Sequence, residues 1–176
     1  EGINWAIDNH INIVLMSFGG NGKSLLLEEA INEAYSQGIL LIAAAGNDGG
    51  PIIIYPAGYD KVCSIGSINQ DLTKSVFSNY GESVEFVASG ENIIIEGSNL
   101  RGTSFSVPHV AIVAASLLSE NTKLNNQDIR NLLQISARDL GAFGKDNEFG
   151  WGLVSLNNDS PSENGDYNNT IYTYGN

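Results

Sequence analysis

Residues 39–47 read Ile-Leu-Leu-Ile-Ala-Ala-Ala-Gly-Asn, an unbroken apolar run of strand length that ends in a glycine and an asparagine. A strand without polar alternation is covered on both faces, as in a parallel sheet between layers of helix. Upstream, residues 24–37 carry Leu27, Ala30, Ile31 and Ala34 on one helical face, with Ser24 as N-cap and Gly38 as the residue that ends the helix. Earlier still, residues 11–16 (Ile-Asn-Ile-Val-Leu-Met) read as a buried strand, and residues 1–9 place Ile3, Ala6 and Ile7 at helical spacing. Downstream, 62–67 and 84–88 are short strands and 92–96 an edge strand. Residues 103–118 form a long helix, with Pro108 confining its start to the neighbourhood of Ser104. Asn125, with Asp128 three residues on, opens a last helix to about residue 136. This alternation predicts an α/β architecture with a mainly parallel sheet.

The 176 residues suffice for one domain, and 42% hydrophobic content suits a packed core. Eight basic residues against 20 acidic ones give a net charge of −12. Such a chain repels phosphate, which argues against nucleic acid and anionic membranes as partners. There is no apolar run long enough for a membrane span. Cys63 is the single cysteine, so no internal disulfide framework forms; its apolar strand makes it a small core residue. The chain begins at Glu1 without an initiator methionine, as expected of a processed product, an engineered piece or a fragment. Residues 157–176 hold six asparagines, three acids and no base, and read as a mobile tail following a domain portion at 1–156.

Three segments carry chemistry. In Gly102-Thr103-Ser104-Phe105-Ser106-Val107-Pro108-His109-Val110, a serine opens a helix after a glycine. Its hydroxyl is presented beside an orphan amide, where the helix dipole favours developing negative charge. An acyl-transfer nucleophile needs that setting. Ala43 to Asn47 places an asparagine carboxamide just past a strand end, able to donate into a cleft. At Met16 to Gly20 the chain leaves an earlier strand and can offer extended backbone to a peptide.

On these residues the sequence resembles the carboxy-terminal part of a subtilisin-like serine protease, a subtilase. Residues 102–110 match the family's G-T-S-x-[AS]-x-P-H-V, Ala44 to Asn47 its A-A-G-N, and Ser17-Phe18-Gly19 its S-x-G, in family order and with Tyr55-Pro56-Ala57 between. The resemblance covers roughly residues 1–156. It implies a three-layer sandwich, here only the carboxy-terminal part of the domain, and serine endopeptidase chemistry on a polypeptide substrate. It assigns Ser104 as nucleophile, with Asn47 and the Ser104 amide as oxyanion hole. Ser17 to Gly19, Ala44 to Gly46 and Thr103 would line the cleft, with Tyr55 to Ala57 closing the base of the first side-chain pocket. Ile54, where the family often has a small residue, would shorten that pocket.

The family triad also needs an aspartate and a histidine, both of which precede these motifs in chain order. Of the two histidines here, His109 lies five helical steps of about 100° past Ser104, some 140° around the helix. We read it as structural, and His10 as a surface or capping residue. The base and its aspartate are therefore expected from an amino-terminal segment or chain, whose absence would leave the strand at 11–16 as an open edge. No cofactor is required for the chemistry, and the complete domain leaves a place for a structural calcium. Glu85 aligns with a family carboxylate near a weak cation site, partnered by carbonyls of Ala57, Tyr59 and Val62. A solvated surface acid is the preferred reading of Glu85, and a turn residue that of Asp48. Ile112, Ser89 and Phe105 depart from the family pattern without touching the chemistry. Two other functions compete with a general endopeptidase: a peptide-binding pseudoprotease and a maturation protease with one dedicated substrate. Most of the family is secreted, yet the acidity and the short segment before Tyr55 also resemble its intracellular branch, so the compartment stays open.

Overall fold

Four apolar segments pair side by side in chain order. In the computed structural model, which describes residues 1–155, β1 (Ile13–Met16), β2 (Leu40–Ala44), β3 (Val62–Ile68) and β4 (Val84–Ser89) form one parallel sheet in that order. Ile13 lies opposite Leu40, Leu41 opposite Val62 and Ile65 opposite Phe86. Every residue of β2 and β3 is buried, which explains the unbroken hydrophobicity of β2; β3 carries Ser64, Gly66 and Ser67 among its apolar residues. The tail at 157–176 lies outside the described residues.

The pleat sorts the strand residues into two cores. Leu40, Ile42, Cys63, Ile65 and Phe86 face the helices α3 (Thr103–Glu120) and α4 (Asn126–Ser136), meeting Val107, Val110, Ala114, Ile129 and Leu133. Leu41, Ala43, Val62 and Met16 face α2 (Leu25–Ser36), meeting Ile31 and Ala34, with Ile3 and Ile7 of α1 (Gly2–Asp8) beside them. The result is helix, sheet, helix. Each fully buried aliphatic or aromatic side chain contributes about 1.5–3 kcal/mol. Because α3 packs across all four strands, its amino end is held by the whole sheet.

Local rules agree with these elements. Ser24 Oγ accepts from Leu27 N, while the Tyr59 hydroxyl accepts from Ser24 N at 2.9 Å and donates to Ser24 O at 2.8 Å. Asn125 and Asp128 form a reciprocal capping box at the start of α4. The buried Asn126 carboxamide donates to Tyr35 O and Ile39 O, tying α4 to the turn between α2 and β2.

One expectation is refined and one corrected. The edge strand expected at 92–96 forms, but outside the main sheet. Ile93–Ile95 (β5) pairs antiparallel with Ser98–Leu100 (β6) in a separate ribbon. Glu96 and Gly97, at φ +49° and +77°, supply the two left-handed turn residues that a tight hairpin prefers. Glu85, in turn, is not a solvated surface acid. Arg130 Nε donates to its Oε1 at 3.0 Å and Nη2 to its Oε2 at 2.5 Å, while Nη1 reaches Asp60 O at 3.3 Å. Both side chains are only about one-eighth exposed, at 13% and 14%. A cation at Glu85 does not fit this arrangement, because both carboxylate oxygens already face a guanidinium. Among the described residues no group of three or more acidic, histidine or cysteine side chains is placed to hold a metal.

β1 pairs only with β2 among the described residues, and Leu15 on it is 42% exposed. Among those residues, no helix is long and apolar enough to cross a membrane.

Glu85→Gln leaves Arg130 without its counter-charge, so unfolding free energy should fall by about 3 kcal/mol, the lower end for a broken buried pair. A urea titration checks it, and an unchanged midpoint would contradict it. His109 is half-buried, and burial lowers its pKa from the usual 6.5. The neutral form is thus favoured in the folded state, so stability should be full above pH 6.5 and decline as pH falls below it. His109→Gln should remove that component of the decline between pH 7 and 5, read from urea midpoints across that range.

Candidate active site

The cleft forms where β2 ends and α3 begins. Gly46, at φ +106°, turns the chain out of the sheet. A β-carbon there would overlap the Asn79 carboxamide and lie 2.9 Å from Ile54 Cδ1, so glycine is required. Gly102 enters α3 at φ +151°, and its N–H donates to Gly90 O just past β4 at 2.8 Å.

Thr103 joins the two ends. Its N–H and its hydroxyl both donate to Asn47 Oδ1, at 2.9 and 3.0 Å, while its Oγ1 accepts from Gly46 N at 3.3 Å. A backbone N–H can only donate, so the atom facing it must be the amide oxygen. That orientation leaves Asn47 Nδ2 to donate into the cleft. Asn47 itself is exposed, and Thr103 is fully buried.

Ser104 follows as the second residue of α3, so its N–H has no acceptor inside the helix. Its Oγ donates to Ser17 O at 3.2 Å, and Ser17 Oγ donates to Ser104 O at 3.2 Å. Pro108 accounts for the second bond. A proline four residues on has no N–H for the Ser104 carbonyl, which is therefore open to Ser17. The proline that the helix tolerates is thus part of how the cleft strand is held to the helix.

Ser17, Phe18, Gly19, Ala44, Gly46 and Thr103 all line the cleft beside Asn47 and Ser104. Ala45 does not; it is buried against Ile68, Val84, Val87 and Phe149. Tyr55 holds the cleft from behind. Its backbone exchanges hydrogen bonds with Gly20 at 2.8 and 3.0 Å, and its ring packs on Tyr59 with centroids 4.7 Å apart. Ile54 is the residue that enters the pocket: its Cδ1 sits 2.6 Å from where a β-carbon of Gly19 would stand. Asp48 is more than a turn residue, since it lines the cleft and bonds to Asn79. Sequence reasoning does not find Asn79. It lies in a loop 31 residues from Asp48, and no periodic or motif signal marks it.

Neither histidine serves Ser104. His10 follows α1, at the opposite end of β1 from Ser17. His109 sits further along α3, on another side of the helix. Cys63 is fully buried, and burial pushes its thiol pKa well up, so it is an inert core residue. The site therefore offers a hydroxyl, a carboxamide N–H and an orphan backbone N–H at a helix N-terminus. Those are the parts that stabilise an oxyanion formed on attack by Ser104.

The sequence profile of the subtilase family matches residues 1–152. The minor extracellular protease Epr of Bacillus subtilis (strain 168) is 39% identical over 160 residues, covering 88% of this chain and 25% of that protein. Subtilisin BL of Lederbergia lenta is 38% identical over 160 residues, covering 88% and 58%. The chain therefore spans a quarter to somewhat over half the length of these curated relatives. Among solved structures, the prenylagaramide maturation protease PagA aligns with TM-score 0.76 at 31% identity, covering 88% of this chain and 62% of that one. The psychrophilic subtilisin-like protease Apa1 of Pseudoalteromonas sp. AS-11 shares the fold, with TM-score 0.79 at 19% identity over 85% and 70%. On that match, and with a parallel sheet that delivers the motif residues to one cleft, the chain belongs to the subtilase family.

Proposed function

We propose that this chain is the carboxy-terminal part of a serine endopeptidase and supplies its nucleophile, oxyanion hole and most of its substrate cleft. The observation that carries the reading is the double hydrogen bond from Thr103 to Asn47 Oδ1, which turns the Asn47 amide N–H toward the cleft beside Ser104. Ser104 Oγ attacks the scissile carbonyl and its proton passes to a histidine base. The tetrahedral oxyanion accepts from Asn47 Nδ2 and Ser104 N–H. The histidine gives that proton to the leaving nitrogen as the intermediate collapses, which releases the amine and leaves an acyl-enzyme; water, losing a proton to the same histidine, then hydrolyses the ester and the proton returns to Ser104 Oγ.

The base and its aspartate come from an amino-terminal segment outside this chain. Two observations support that: the chain spans 58% of subtilisin BL, and β1 offers an unpaired edge among the described residues. Ser17 O, the acceptor that Ser104 Oγ has, is a carbonyl and takes no proton. The isolated 176-residue chain is therefore inactive.

Ile54 sets the substrate class. Its Cδ1 fills the space between Gly19 and Gly46, where the side chain before the scissile bond would enter. Small residues fit there; aromatic ones do not. The protein carrying its upstream sequence should cleave after alanine at least about tenfold better than after phenylalanine, as differences of a few methylenes allow. Ile54→Gly should close that gap, and Ser104→Ala should abolish turnover. Asn47→Ala should reduce kcat by about 10²–10³, the loss known for the oxyanion asparagine of subtilisin itself. Turnover that survives Ser104→Ala would overturn the proposal. Tight binding of the same peptides without turnover would make the chain a peptide-binding module instead.

A further inference from the structure

Asn79 is 1% exposed, is not in the cleft lining, and has each of its four polar atoms in a hydrogen bond. Its backbone N–H donates to Gly46 O at 3.0 Å. Its Oδ1 accepts from Asp48 N at 2.8 Å, and its Nδ2 donates to Asp48 Oδ2 at 3.0 Å. One residue thus grips the chain on both sides of Asn47. The absent side chain of Gly46 makes room for that carboxamide.

Asn79 is itself anchored to the sheet. Ser78 Oγ accepts from Ser67 N of β3 at 2.9 Å and donates to Asn79 O at 3.1 Å. Ser67 and Ser75 share a hydrogen bond of 2.8 Å between their hydroxyls. These serines are 0–1% exposed. A buried polar group is costly unless bonded, so such a satisfied network persists as a rigid mount. Asp48 is the one charged residue among the described residues lining the cleft, and its carboxylate is held by the Asn79 amide. A loose carboxylate there would oppose an oxyanion forming near Asn47.

We propose that Asn79 is a positioning residue for the oxyanion asparagine: by clamping Gly46 and Asp48 to β3, it fixes Asn47 in register with Thr103 and Ser104. This rests on the serine-endopeptidase reading. Asn79 touches no substrate and acts only through Asn47.

The test is a double-mutant cycle in the full-length enzyme with a peptide bearing alanine before the scissile bond. Asn79→Leu keeps the size and removes the carboxamide. It should lower kcat about tenfold, less than the roughly hundredfold that a 1 Å misplacement costs, with KM changed less than about twofold. In an Asn47→Ala background the same change should cost less than about twofold, because its target is gone. Should Asn79→Leu not fold, Asn79→Ala, which removes the same carboxamide without adding apolar bulk, carries the same cycle. A normal loss for Asn47→Ala together with an equal cost of Asn79→Leu in both backgrounds would overturn the positioning role alone. An unsubstituted enzyme without turnover would overturn the endopeptidase reading and this role together.

Discussion

Asn47 Oδ1 accepts two hydrogen bonds from Thr103, and the cleft depends on that junction. It ties the carboxyl end of β2 to the amino end of α3 across 56 residues of sequence. Each partner lies at the end of a rigid element: Thr103 opens α3, and Asn47 follows β2 by three residues. β2 is buried along its whole length, and α3 lies across every strand of the sheet. The carboxamide is therefore oriented by the core and not by a mobile loop. Electrostatic stabilisation of a transition state is effective when its donors need no reorganisation.

Several residues that break local rules do so in service of this junction. Gly46 and Gly102 take positive φ where the chain leaves the sheet and enters the helix. Pro108 removes an N–H from α3 and so frees the Ser104 carbonyl for Ser17. Ser24 and Asn125, by contrast, are ordinary helix caps. The cleft is thus shaped by two positive-φ glycines and a helix proline, while the non-glycine residues at positive φ, His10, Leu72, Asn92 and Glu96, lie in turns elsewhere.

Much of this is legible in the sequence, because buried parallel strands read as apolar runs and caps have a fixed spacing. The strands at 39–45 and 62–67, the Asn125–Asp128 box and the opening of α3 all follow from such local signals. Glu85 is not legible in that way. Its partner Arg130 is 45 residues distant and on another element, so only the packing of α4 on the sheet brings them together. The β5–β6 ribbon depends on a turn whose first left-handed residue is a glutamate, a type that seldom marks one. Asn79 carries no motif, and its contacts with Gly46 and Asp48 arise only where its loop meets the chain just past β2. The family resemblance already implies that Ile54 shortens the pocket; Ile54 is in the cleft lining and Tyr55 is bonded to Gly20 beside it.

In the function proposed here, Ser104 is a nucleophile activated by groups upstream of this chain. The measurement that addresses it most directly is an intact mass spectrum of the protein from its natural source after exposure to a fluorophosphonate. Such a reagent labels a serine only when a base takes its proton and an oxyanion hole receives the phosphoryl oxygen. One adduct is expected, mapped to Ser104, in a species that includes upstream sequence, and none on the isolated 176-residue chain. A folded, full-length species that gains no adduct would contradict it.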